Sequence, residues 1–157
     1  MEETTVENFL ADVASGKPTP GGGSVSALAG SLGASLARMV AGLTMGKEKY
    51  AAVETEMQSV ADMGEQLQME LIEAVDRDSE AFEAVMAAFR LPRATDEDKA
   101  ARSQAIQAAT KLATEVPLET AQAAAKVIDL AQTVAAKGNP NAVTDAGVAA
   151  LLGLAAV

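Results

Sequence analysis

Residues 24–43 read SVSALAGSLGASLARMVAGL, a run with a single charge, Arg38, and very little side-chain bulk. At helical spacing it separates into two faces. Leu28, Leu32, Leu36, Met39 and Leu43 recur on one side; Ala27, Gly30, Ala34, Ala37 and Ala41 recur on the other. Gly30 and Gly33 inside a helix each cost about 1 kcal/mol relative to alanine. That cost is offset when a second helix backbone comes close to the bare face. The run therefore predicts a central helix packed along its small residues, within the bundle or at a subunit contact. The stretch 24–46 is also long enough to span a bilayer, but Arg38 sits near its middle and Ala, Gly and Ser gain little from lipid. Burial in a protein core explains it as well.

Upstream, PTPGGG at residues 18–23 forbids helix at Pro18 and Pro20 and closes a loop, with Ser24 placed to cap the next helix. Thr4 with Glu7 reads as a capping box for a short helix carrying Val6, Phe9, Leu10 and Val13, stopped at Gly16. Downstream, a long helix is predicted over about 48–89, its stripe running through Val53, Met57, Val60, Gly64, Leu67, Leu71, Val75, Phe82, Val85 and Phe89. Pro92 ends it, and Thr95 with Asp98 opens another helix, which Pro117 should kink or split. Gly138 is placed as a left-handed cap after Lys137, and a last apolar helix starts near Thr144. No segment alternates with period two. The predicted class is all-α, a helical bundle with one very long helix. The chain reads as one domain over 1–157; its apolar, uncapped ending, LLGLAAV, suggests that a further C-terminal helix is missing.

Composition narrows the chemistry. The 157 residues contain no His and no Cys, so a disulfide, a Cys/His zinc site, a thiolate nucleophile and a Ser-His-Asp triad are all excluded. Acid–base work falls to Asp, Glu, Lys or Tyr50, and no metal site is expected. A net charge of −10 without any basic patch argues against nucleic acid. The N-terminus, MEETTVENF, lacks the apolar core of a signal peptide, so cytoplasmic residence is expected, with no membrane partner.

Within ELIEAVDRDSEAFEAV, Asp78 falls on the apolar stripe between Val75 and Phe82, whereas Asp76 points almost the opposite way. A carboxylate on an apolar face is costly unless paired or protonated, and a carboxyl group kept from water can serve as a proton donor. An ion pair with Arg38 or Arg90, or a cap on another helix, would satisfy Asp78 equally well. Residues 21–23 fit neither phosphate-loop pattern, because the Lys-Ser/Thr step and the third glycine are both absent. The free amides of a helix start can nonetheless hold a carboxylate or a polar ring edge; a plain tight turn is the alternative. Lys47 and Lys49 stand at a helix break, suited to an anionic tail or to plain solvent. Asn139, Asn141 and Asp145 make a dense polar turn around Pro140, with Asp145 also suited to a helix start.

Five segments in order, PTPGGGSVSALAGSLGASLARMVAGLT, GKEKY, VDRDSEAFEAVMAAFRLP, EVPLETA and GNPNAVTDAGVAALL, resemble the cyclodeaminase-type folate enzymes. This family contains the cyclodeaminase domain of formiminotransferase-cyclodeaminase and the bacterial methenyltetrahydrofolate cyclohydrolases. The resemblance implies an all-helical homo-oligomer, a dimer or larger, with its folate site close to subunit contacts. It implies either cyclisation of 5-formimino-tetrahydrofolate with loss of ammonia or hydrolysis of 5,10-methenyl- to 10-formyl-tetrahydrofolate, with no cofactor beyond the folate substrate. The second Asp of the family's VDxD segment, here Asp78, would donate the proton. Gly21, Gly22, Gly23 and Ser24 would line the folate pocket, with Lys47, Asn141 and Asp145 as further substrate contacts. Family members continue into another helix that is absent here, so a non-catalytic folate-binding or helical oligomerisation module is the competing expectation.

Overall fold

The structure, a computed structural model, describes residues 4–157. Its elements are α1 (Val6–Val13), α2 (Gly22–Thr44), α3 (Glu54–Arg90), α4 (Asp96–Lys137) and α5 (Val143–Ala156). Single 3₁₀ segments, Glu48–Val53 and Pro140–Ala142, precede α3 and α5. No strand occurs among the described residues, and the bundle carries two very long helices where the sequence pattern predicts one.

Helix α2 is the hub, packed against α3, α4 and α5. Its small face is the buried one: Ala27, Ala34, Ala37 and Ala41 are wholly excluded from solvent. Gly30 lies against Leu71 of α3 and Ala156 of α5, and a Cβ on Gly33 would stand 3.0 Å from the Ala149 carbonyl oxygen. The glycines thus let α3 and α5 close onto the hub within one chain, and the small face is not left for a subunit contact. The large face is left outside instead, with Leu32 half exposed and Met39 and Leu43 close to it. By length and composition α2 alone among the described helices could cross a membrane, yet 44% of its apolar window is buried in the fold.

The α3 stripe is buried from Met57 through Val60, Leu67 and Leu71 to Val75, where it meets α2, α4 and Phe9 of α1. Phe82 and Phe89, two and four turns further on, are 37% and 50% exposed. The reason is length. Helix α2 begins opposite Asp78, so nothing from it covers the outer turns of α3. Helix α4 mirrors this: its buried residues begin only at Val116. The last three turns of α3 and the first half of α4 form a two-helix arm, at whose tip the Arg102 guanidinium donates to the Phe89 carbonyl at 3.2 Å.

Several local expectations are corrected. Helix α1 is capped by Thr5, which accepts the Asn8 N–H at 3.1 Å, rather than by Thr4 with Glu7. Pro117 does not split α4, which runs unbroken through it; the proline stands exposed while Val116 and Thr120 beside it are buried. Gly138 is extended (φ −78°, ψ −171°), not left-handed. Glycine is needed there for space, since a Cβ would meet the Val134 carbonyl at 2.5 Å and Val40 at 3.1 Å. The Thr95–Asp98 capping box forms as expected, with both reciprocal bonds present.

Candidate active site

Asp78 and Ser24, 54 residues apart in sequence, meet at the start of α2 beside the glycine turn. Oδ2 of Asp78 accepts the Ser24 backbone N–H at 2.8 Å and can accept the Ser24 hydroxyl, 3.0 Å away. Gly21 is the N-cap residue of α2 but carries no side chain to cap with. A carboxylate from α3 supplies the missing acceptor, where the positive end of the helix dipole favours a negative group. Ser24, expected to cap α2 itself, is the third helical residue and serves as donor instead. Of the alternatives open for Asp78, a cap on another helix is the one realised. Arg38 is engaged elsewhere, with Gln68 at 2.8 Å and Glu65 at 3.0 Å.

The turn fits the carboxylate closely. A Cβ on Gly23 would overlap the Asp78 side chain, Oδ1 first, whereas one on Gly22 would meet nothing within 4 Å. The two glycines therefore differ. Gly23 admits the carboxylate, and Gly22 is exposed beside it. Ser24 is wholly buried and turned inward. Its Oγ lies 2.9 Å from the Val75 carbonyl oxygen and 3.2 Å from the Ser79 hydroxyl.

Two hollows flank the turn. One, of about 140 Å³, is lined by residues including Asp12, Pro20, Asp76 and Ser79. The other, an open groove along the outer face of α3, is lined by Lys17, Pro18 and Thr19 of the loop and by Phe82, Glu83 and Arg90 of the helix, among others. Sequence reasoning missed Ser79 and Lys17, and named Arg90 only as an ion-pair partner for Asp78. Ser79 directly follows Asp78, but its link to Ser24 is a tertiary contact that no local pattern encodes.

Lys47, Asn141 and Asp145 lie at the opposite end of α2. The Lys47 ammonium donates to the Leu43 carbonyl. Asn139 clamps the same end, its backbone N–H donating to Thr44 Oγ1 at 2.9 Å and its amide nitrogen to the Leu43 carbonyl at 3.3 Å. Tyr50 donates its hydroxyl to Asn139 Oδ1 at 3.3 Å, and the Asn141 N–H reaches the same oxygen at 3.1 Å. Asp145 stands in the first turn of α5, suiting its dipole. From Ser24 to Thr44 the helix rises about 30 Å. Within one chain, the structure brings Gly21, Gly22, Gly23 and Ser24 together with Asp78 and leaves Lys47, Asn141 and Asp145 apart from them. Among the described residues, no group of three or more Asp or Glu is placed to hold a metal ion.

The chain is similar to known proteins along nearly its whole length. The chain is 50% identical over 147 residues to the methenyltetrahydrofolate cyclohydrolase of Methylorubrum extorquens, covering 94% of this chain and 71% of that protein. It is 32% identical over 148 residues to the formimidoyltransferase-cyclodeaminase of Mus musculus, of which it spans 27%. The crystal structure of formiminotetrahydrofolate cyclodeaminase from Thermotoga maritima superposes with a TM-score of 0.86 at 32% identity, covering 99% of this chain and 73% of that one. Residues 5–157 match the family profile described as formiminotransferase-cyclodeaminase, and the chain belongs to that family.

Proposed function

We propose that the protein is a folate one-carbon enzyme that opens or closes the bridge between N5 and N10 of tetrahydrofolate, with Asp78 carrying the proton. In the hydrolytic direction, water adds to the bridge carbon of 5,10-methenyl-tetrahydrofolate, and the C–N5 bond breaks as N5 takes up a proton. In the cyclising direction, N10 attacks the carbon of 5-formimino-tetrahydrofolate and ammonia departs. A nitrogen anion leaves poorly, so each route calls for a positioned acid or base at the tetrahedral carbon. A side chain other than His or Cys must do this here, since the chain has neither.

The observation that carries the reading is the seating of Asp78: Oδ2 is held by the start of α2, while Oδ1 stands over Gly23 and makes no hydrogen bond among the described residues. A half-buried carboxylate fixed by one oxygen, with the other not hydrogen-bonded, is oriented as a proton carrier must be. Gly21, Gly22 and Gly23 then form a wall against which a flat ring can lie close to backbone. Lys47, Asn141 and Asp145 reach the same substrate from a neighbouring copy in a homo-oligomer. The enzyme works in the cytoplasm, with a tetrahydrofolate derivative as its small-molecule partner and no further cofactor.

The test is direct. The purified protein is incubated separately with 5-formimino- and 5,10-methenyl-tetrahydrofolate, and the methenyl absorbance is followed. Turnover of either one supports the reading and decides its direction. Tight binding of both with turnover of neither would reduce the protein to a folate-binding module.

A further inference from the structure

We infer that Ser24 and Ser79 form a two-hydroxyl relay that moves a proton between Asp78 and the small hollow behind the glycine turn. The inference rests on Asp78 being the proton carrier of the reaction above.

Neither reaction is proton-neutral. Cyclisation of the neutral 5-formimino compound to the methenyl cation and ammonia consumes one proton. Hydrolysis of the methenyl cation to the 10-formyl compound releases one. A carboxylate that gives or takes that proton must be reset at every turnover. With substrate against Oδ1, the oxygen left for resetting is Oδ2, and Oδ2 faces the Ser24 hydroxyl at 3.0 Å.

The geometry continues outward from there. Ser24 Oγ has three oxygen neighbours, the Val75 carbonyl at 2.9 Å, Asp78 Oδ2 at 3.0 Å and Ser79 Oγ at 3.2 Å. A hydroxyl owns one proton and accepts with its lone pairs. When that proton turns from Val75 to Asp78, Ser24 can accept from Ser79, and a continuous donor chain forms. Ser24 is wholly buried, but Ser79 lines the hollow with Asp12 and Asp76, and Asp78 does not. The cap on α2 needs only the backbone N–H of Ser24. The hydroxyl pair adds a route to solvent that capping does not require.

In the recharging direction, Ser24 passes its proton to Asp78 Oδ2, Ser79 passes its proton to Ser24, and Ser79 takes one from a hydronium ion or buffer acid reaching the hollow, which is left as water or the conjugate base. Within the relay only O–H bonds break and form, and both hydroxyls end intact. Discharge is the reverse sequence. Ser24 and Ser79 are thus positioning residues that act through Asp78.

The test compares wild type, Ser79→Ala, Ser79→Thr and Asp78→Asn by steady-state kinetics in H2O and D2O, using the folate that wild type turns over. Ser79→Ala is expected to lower kcat about tenfold or more, with KM within about twofold and a solvent isotope effect above that of wild type. Ser79→Thr keeps the hydroxyl and should restore most of kcat. If Ser79→Ala keeps the wild-type kcat and isotope effect while Asp78→Asn is inactive, the relay is refuted and the role of Asp78 stands. A fall in kcat with an unchanged isotope effect and no rescue by threonine also refutes the relay, assigning Ser79 to structure. A fully active Asp78→Asn overturns both.

Discussion

Alanine at Gly23 and alanine at Gly22 should have opposite effects, although the two residues are adjacent in the first turn of the same helix. At Gly23 the new Cβ overlaps the Asp78 carboxylate, so the side chain must swing off the start of α2. That breaks the 2.8 Å bond from Ser24 N–H and the 3.0 Å contact with its hydroxyl. Losing a helix cap costs about 1 kcal/mol, and hydrogen bonds to a charged group raise the figure to about 2. Alanine regains up to about 1 kcal/mol of helix propensity over glycine. The net is a loss of about 1 kcal/mol, or roughly 3 °C in Tm for a domain of this size. At Gly22 nothing lies within 4 Å of the added methyl, so only the propensity gain remains and Tm should hold or rise. Thermal melts followed by circular dichroism read both stabilities, and methenyl-tetrahydrofolate turnover reads the placement of the carboxylate. Gly23→Ala should lose at least tenfold in kcat, because a carboxylate displaced by about 1 Å forfeits its alignment. A Gly23→Ala protein that melts at or above wild type and turns over normally would refute the account of this turn.

Other substitutions probe separate parts of the fold and site. Asp78→Asn should abolish turnover while the protein stays folded, because an amide oxygen still accepts the Ser24 N–H; turnover and a melt on the same sample check both halves. Gly22→Val should weaken folate binding more than it lowers Tm, measured by folate titration, since the exposed position borders the proposed ring site. Leu71→Ala, at a fully buried residue that fills the space beside Gly30, should cost about 2–5 kcal/mol in denaturant unfolding. Asp98 is held below its ordinary value of 3.8 first by the Thr95 backbone N–H and then by the Thr95 hydroxyl. Because its pKa is depressed on folding, its contribution is whole above the unfolded value and fades as pH falls through the lower folded one. The Tm gap between wild type and Asp98→Asn should therefore be open at neutral pH and close in that acid window.

Much of the fold was legible because its signals are local. Two-faced periodicity marked α2 as the hub, and Thr95 with Asp98 announced the start of α4 by a pattern complete within four residues. The failures share a physical cause. The position of Gly138 after Lys137 suggests a left-handed cap, whereas what the glycine supplies is room for Val40 and Thr44, and such crowding is tertiary. The buried face of α2, by contrast, was legible from its glycines: packing along Ala27, Ala34, Ala37 and Ala41 is what the pattern predicts, and close approach of backbones produces it. The site followed the same division. Asp78 stood out because an acidic residue interrupted an apolar stripe, and the glycines because three in a row are rare. Their meeting depended on the stagger between α2 and α3, and the distance of Lys47 and Asn141 from them on the full length of α2. Neither is written in any short stretch.

The arm formed by the last turns of α3 and the first half of α4 can loosen separately from the rest of the molecule. Between residues 96 and 115 no α4 side chain is fully buried, so this half has little to lose by opening on its own. Pro117 sits at the boundary and lacks the amide proton that would tie the two halves into one ladder of backbone bonds. Unravelling that starts at the tip can therefore stop there, leaving the inner bundle closed. In deuterium labelling the amides of the arm should exchange as a separate, faster cooperative unit, and a protease should find its first cut near residues 91–95. The inner bundle that seats Asp78 would outlast that cut.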